Sequence, residues 1–104
     1  VIQLEITDQL LTEFKQRMKI SHSIEDDNLK RLLSFSCDDI VQKCGQFDIE
    51  VNRRAKELVF ERTRYAYNDA LEFFNDNFAS QITSLALELY TPESDEVNAD
   101  ETTI

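Results

Sequence analysis

Residues that turn a chain are almost missing from this sequence. It has one Gly and one Pro in 104 residues, where average usage would give about seven and five. That scarcity excludes a fold of many short strands and tight hairpins and favours a few long elements. Alternating runs of Val, Ile, Thr and aromatic residues bounded by turn residues are lacking as well, so the domain reads as all-α. There is no Trp and a single His, His22, which leaves few general bases and few stacking platforms. The sequence contains no Gly-rich phosphate loop, CxxC pair, HExxH or nucleophile elbow, so a non-enzymatic protein without cofactor or metal is expected. No apolar run reaches 18 residues and no signal-peptide pattern is present, so no association with a membrane is expected. The chain opens on Val rather than Met, and some processing or trimming is expected.

Positive charge is missing from a whole end of the chain. The formal charge is −10, and every Lys and Arg lies at or before Arg64. Residues 1–64 carry 11 basic and 12 acidic side chains, whereas residues 65–104 carry nine acidic and none basic. Such an end repels nucleic acid and phospholipid surfaces and suits solvent or a basic protein partner. Cys37 and Cys44 are the only cysteines. On one helix their seven-residue spacing puts them about 10 Å apart along the axis, beyond the ~7 Å a disulfide allows. Two thiols and one distant His also fall short of a structural zinc site. They read as small core hydrophobes in a reducing compartment.

What is there is helical periodicity. Residues 1–6 form a short apolar lead-in. Thr7 is a fitting N-cap for a helix to about Met18, with Leu10, Leu11, Phe14 and Met18 on one face. After a linker holding His22, Ser23 caps a second helix with Glu25, Asp26 and Asp27 in its first turn. Consecutive helical positions point those three carboxylates in different directions, so they read as dipole capping rather than as a metal or acid–base site. Leu29, Leu32, Leu33, Ser36, Ile40 and Cys44 make the stripe, widened by Phe35, Cys37 and Val41, and Gly45 stands where a C-cap belongs.

The stretch from Asp48 to Phe78 has neither Gly nor Pro. Its spacing predicts one long central helix capped by Asp48, with Val51, Ala55, Leu58, Val59, Ala66, Ala70, Phe73 and Phe74 on the apolar side. Glu50 with Arg54, Arg53 with Glu57 and Glu61 with Arg64 are placed to pair along it. The helix should break near Asn75-Asp76-Asn77. A last helix follows from Ala79 to Leu89 and stops at Thr91-Pro92. The expected organisation is therefore a bundle of about four helices over residues 1–89 and an extended acidic arm over 90–104. That arm is too polar to fold by itself, yet Tyr90, Pro92, Val97 and Ile104 give a partner something to hold, and its last dozen residues can span ~40 Å.

Arg53, Arg54, Lys56, Arg62 and Arg64 are interleaved with Glu50, Glu57 and Glu61, so their field nearly cancels and phosphate binding is a poor use for them. Ion pairing within the helix or across a subunit boundary fits better. Arg62 falls four after Leu58, near the apolar stripe, and requires a carboxylate or carbonyl partner, in this chain or a neighbouring one. Tyr65 and Tyr67 read as core or interface aromatics.

Two segments carry a resemblance. FKQRMKISHSIEDDNLKRLLSFSCDDI, through Lys15, Met18, Ile20, Asp26, Asp27, Leu29, Leu32 and Leu33, resembles the opening of the head–tail connector (adaptor, or head completion) proteins of tailed bacteriophages. ELVFERTRYAYNDALEFFNDNFASQITSLALEL, through Arg62, Arg64, Tyr65, Tyr67 and Asn68, is similar to the C-terminal half of the connectors of siphophages of Gram-positive hosts. Together they cover most of residues 10–89, and the resemblance stops before the arm. It implies a small α-helical subunit of a ring, usually of twelve copies, in the virion at the head–tail interface. The ring sits under the portal protein, offers a platform to the stopper or tail completion protein, and extends a channel through which DNA passes without specific binding. Assembly in the host cytoplasm and no catalytic activity are further implications. On this reading Arg53, Arg54, Arg62, Arg64, Tyr65 and Tyr67 are candidate inter-subunit contacts, and Tyr90, Pro92, Val97 and Ile104 candidate portal- or neighbour-binding residues. A net-acidic chain suits a lumen that must not hold DNA. The competing reading is an acidic DNA mimic that inhibits a host nucleic-acid enzyme, which would need its carboxylates spread over a folded face.

Overall fold

The computed structural model describes residues 6–90, and these residues are all-helical. Five helices follow one another: α1 (Asp8–Met18), α2 (Asp26–Cys44), α3 (Arg53–Tyr67), α4 (Phe74–Asn77) and α5 (Ala79–Leu89), with a 3-10 turn at Leu71–Phe73 before α4. The lead-in residues 1–5, and Pro92, Val97 and Ile104 of the arm, lie outside the described residues.

α1 starts and stops as the sequence predicts. The Leu10 amide donates to the Thr7 hydroxyl at 3.1 Å, filling one of the donors a helix start leaves open. At its other end Lys19 takes the left-handed conformation (φ 61), and the Ile20 amide closes back on the Lys15 carbonyl at 2.9 Å. The second helix begins later than its capping signal. Ser23 caps nothing with its side chain; α2 starts at Asp26 with Glu25 as an N-cap that makes no side-chain bond. Tertiary partners account for this: Asp26 is drawn to the Lys15 ammonium at 2.6 Å, and Glu25 accepts from the Tyr67 hydroxyl at 3.0 Å.

The long central helix is corrected. Asp48 shapes a turn: its carboxylate accepts from the Glu50 amide at 3.0 Å, and its carbonyl accepts from the amides of Val51 and Asn52. The cap is Asn52, whose side chain accepts from the Ala55 amide at 3.0 Å, so the helix opens at Arg53. Val51 stands outside it and is 74% exposed. The helix also ends well before Asn75. The Asn68 side-chain amide donates to the Arg64 carbonyl, Asp69 adopts φ 58, and the Ala70 amide returns to the Tyr65 carbonyl at 2.8 Å. Asn and Asp compete for backbone groups and tolerate the left-handed region, and the first such pair in the chain prevails over the later one. The longest helix is therefore α2, with 19 residues. The one-turn α4 makes five helices where four were expected.

The core lies between α2 and α3. Leu29, Leu33, Cys37 and Ile40 of α2 face Ala55, Leu58, Val59 and Phe60 of α3, with α1 contributing Leu10, Leu11 and Phe14. Phe14 meets the edge of Phe60 at 5.5 Å between centroids, a geometry that adds about 0.5–1.5 kcal/mol to the area buried. Phe47 and Ile49, from the connection after α2, close the core from the side, and Leu85 of α5 completes it. The segment after the Asn68–Ala70 reversal folds back on α3, where Tyr65 meets Phe74 and Phe78 edge-on at 5.8 and 5.6 Å and Phe74 stacks on Phe78 at 5.0 Å. Phe35 and Phe73, assigned to buried stripes by spacing, are 56% and 57% exposed.

Gly45 ends α2 at φ 111, ψ 175, a conformation in which only glycine is at ease, and an added Cβ would meet Leu89 at an ordinary 3.7 Å. Gly45→Ala is therefore expected to cost about 1–3 kcal/mol through backbone strain rather than clash, read as a lower urea midpoint with an unchanged slope.

Candidate functional site

The charged residues singled out in the sequence lie mainly on α3. Arg62 sits where the helix meets α2, with a side chain only 16% exposed. Its guanidinium donates to the Asp39 carboxylate at 3.1 Å and to the Ser36 hydroxyl at 3.2 Å. Thr63, beside it and fully buried, donates its hydroxyl to the Val59 carbonyl or to Ser36, 2.8 and 2.9 Å away. The partner that Arg62 requires is thus in its own chain. Asp39 also holds Lys43 at 2.7 Å, one turn further along α2.

A second cluster ties α1 to α3. Arg17 bridges Glu57 and Glu61, each at 2.7 Å, and lies over the Phe60 ring at 5.3 Å. Glu61 also accepts from Arg64 at 2.6 Å. Lys56 donates to Glu13 at 2.8 Å. Donation to these carboxylates raises the Arg17 and Arg64 pKa, and the bond from Lys56 lowers that of Glu13. A depressed carboxylate pKa stabilises the fold above the unfolded group's range and loses that contribution as the pH falls through the folded value.

Of the three pairs predicted along α3, Glu61–Arg64 forms. Glu57 is taken by Arg17 of α1, and Arg54 turns to Glu88 of α5 at 3.1 Å. Tyr67 is tied to Glu25, a bond that raises its pKa, and the Tyr65 hydroxyl accepts from Asn77 at 3.0 Å. Both tyrosines therefore serve the body of this chain. Arg53, in contrast, has no carboxylate partner among the described residues. Tyr90, the one described residue of the arm candidates, is 65% exposed.

Sequence spacing missed one feature. Arg53, Arg54, Glu57 and Leu58 of α3 line a cleft of about 370 Å³ with Gln81 of α5 and Phe78 just before it. Neither Phe78 nor Gln81 belongs to a motif, and the cleft exists only because the chain reverses after α3. His22 lies 3.6 Å from Glu25 at the surface, without a nucleophile beside it. Among the described residues, no group of His, Cys, Asp and Glu is placed to hold a metal ion, and no helix is long and apolar enough to cross a membrane. Both cysteines are free and buried.

Searches against protein-family models, curated proteins and solved structures found no match to this chain.

Two measurements check this geometry. Asp39→Ala leaves the Arg62 guanidinium half-answered in the α2–α3 contact and is expected to cost about 1–3 kcal/mol, whereas Arg54→Ala, at an exposed pair, costs less than about 1 kcal/mol; urea unfolding of the two variants reads the difference. Burial pushes the Cys37 thiol up to about 12. Alkylation of the native protein near pH 9 should therefore spare Cys37 and proceed only on unfolding. Because the unfolded thiol ionises first, its contribution to stability falls as the pH rises above that point.

Proposed function

We propose that this chain is a non-catalytic structural subunit of the head–tail interface of a tailed phage. Copies of it would form a ring, of about a dozen, between the portal and the stopper or tail, around a channel that DNA crosses. The single observation that carries the reading is the run Arg62, Arg64, Tyr65, Tyr67 and Asn68 with its flanking residues, which resembles siphophage connectors. The geometry gives that run a coherent use. Arg62 fixes α3 on α2, Tyr65 anchors the reversed segment, Tyr67 holds the start of α2, and Asn68 ends the helix. A motif that shapes the subunit body is what a ring needs, because a heterologous interface depends on a fixed wedge.

Ring surfaces then fall on residues the body does not consume: Arg53, and the exposed apolar side chains Ile24, Phe35, Val51, Phe73 and Leu87. The arm after Leu89 is available to the portal or to an adjacent copy. The DNA-mimic alternative draws less support, since residues 6–90 carry 11 basic against 15 acidic side chains, and most of those cations are paired within the fold.

The test is assembly on a template. Native mass spectrometry or negative-stain imaging of the chain mixed with portal-bearing capsids is expected to give a ring of about a dozen copies at the vertex, as closed cyclic assembly requires. Deleting Pro92–Ile104 is expected to weaken attachment. A chain that stays monomeric with the portal present, or that turns over a substrate, would refute the reading.

A further inference from the structure

We propose that the cleft between the first turns of α3 and the body of α5 is a docking site for the chain's own acidic C-terminal segment, residues 91–104, in the same copy. The inference does not depend on ring assembly. It starts from an electrostatic mismatch. Arg53 and Arg54 occupy the first turn of α3, which contains no acidic residue. Cations there face the positive end of the helix dipole, a position that favours carboxylates. Arg54 is offset by Glu88, but Arg53 has no carboxylate among the described residues. Beside the two arginines the cleft is lined by Leu58, Phe78 and Gln81, and by Glu57, whose carboxylate is already held by Arg17. The ligand that answers both features is an extended peptide with consecutive carboxylates followed by an aliphatic side chain.

The chain carries such a peptide beside the cleft. α5 walls the cleft with Gln81 and, two turns on, pairs Glu88 with Arg54. It ends at Leu89, and Tyr90 leaves it in an extended conformation (φ −63, ψ 126). Arg54, on the edge of the cleft, is thus held beside the last turn of α5, from which the tail departs. From Glu88 back to Gln81 is about 10 Å at the helical rise, which three or four extended residues cover. After Pro92, the only proline, come Glu93, Asp95 and Glu96, then Val97, with no basic residue anywhere in 91–104. A chain that turned at Pro92 would bring those three carboxylates over Arg53 and Arg54, and Val97 over Leu58 and Phe78. Tethering makes this an intramolecular event at roughly millimolar effective concentration, so an intrinsic affinity of only about millimolar gives half-occupancy.

The test uses the full chain with a nitroxide on Ala99→Cys. The native thiols are buried and their pKa values are raised, so the label goes to the introduced one. The expected result is paramagnetic broadening of the amide resonances of Leu58, Phe78 and Gln81, with α1 unaffected. Arg53→Glu combined with Arg54→Glu should reduce the docked population about fivefold to tenfold, as expected for the loss of two surface ion contacts. Glu93→Gln, Asp95→Asn and Glu96→Gln together should reduce it while leaving the cleft intact. Broadening that is absent from the body, centred elsewhere, or indifferent to both sets of changes would overturn the proposal. So would broadening in an isotope-labelled chain mixed with a spin-labelled one, because the occupant would then be a neighbouring copy's tail.

Discussion

A guanidinium on the inward side of a helix has to be answered, and the way Arg62 is answered sets the rest of the molecule. Its partners Asp39 and Ser36 lie one turn apart on α2, so they fix how far α3 slides along α2 as well as how it faces. Thr63, buried with Ser36, leaves no slack at that level. Apolar contact alone would accept neighbouring registers at similar energy, whereas a desolvated cation separated from its carboxylate is strongly penalised. Once these two helices are locked, α1 has one groove in which to lay Phe14, and the segment after α3 has one face to fold back on.

Much of this was legible in the sequence. The ends of α1, the Gly45 stop, the span of α5 and the need of Arg62 for a partner all follow from signals that act within a few residues. What could not be read locally was decided by partners far along the chain. Ser23 has the chemistry of a cap, but Asp26, the carboxylate three residues on that would answer it, is held by Lys15. The pairs expected along α3 satisfy spacing, yet α1 and α5 supply better-placed partners to Glu57 and Arg54. The long central helix failed for a different reason. Apolar periodicity continues through Asn68 and Asp69, but those two residues already satisfy backbone groups and take the left-handed turn that ends α3.

The same reversal governs what the surface offers. An uninterrupted helix would have carried Phe74 and Phe78 away from the body. Doubling back brings Phe78 beside Leu58, so an aromatic edge and two arginines share one depression. Most cations of the folded part are bound to their own carboxylates, and half of the net charge of −10 comes from the five acidic residues that follow α5 in sequence. Arg53, like Lys19 and Arg31, has no carboxylate partner among the described residues, and of the three it stands where its helix is least able to tolerate positive charge.

The Thr7 cap bears on how the domain can be redrawn. Its hydroxyl secures the first turn of a helix whose other end, through Arg17, roofs Phe60. Recombinant versions that lose Arg17 would leave a core aromatic uncovered and Glu57 of α3 without its counter-ion, while Glu61 would keep only Arg64. Fusion partners and tags therefore belong upstream of Thr7, where they leave this roof in place.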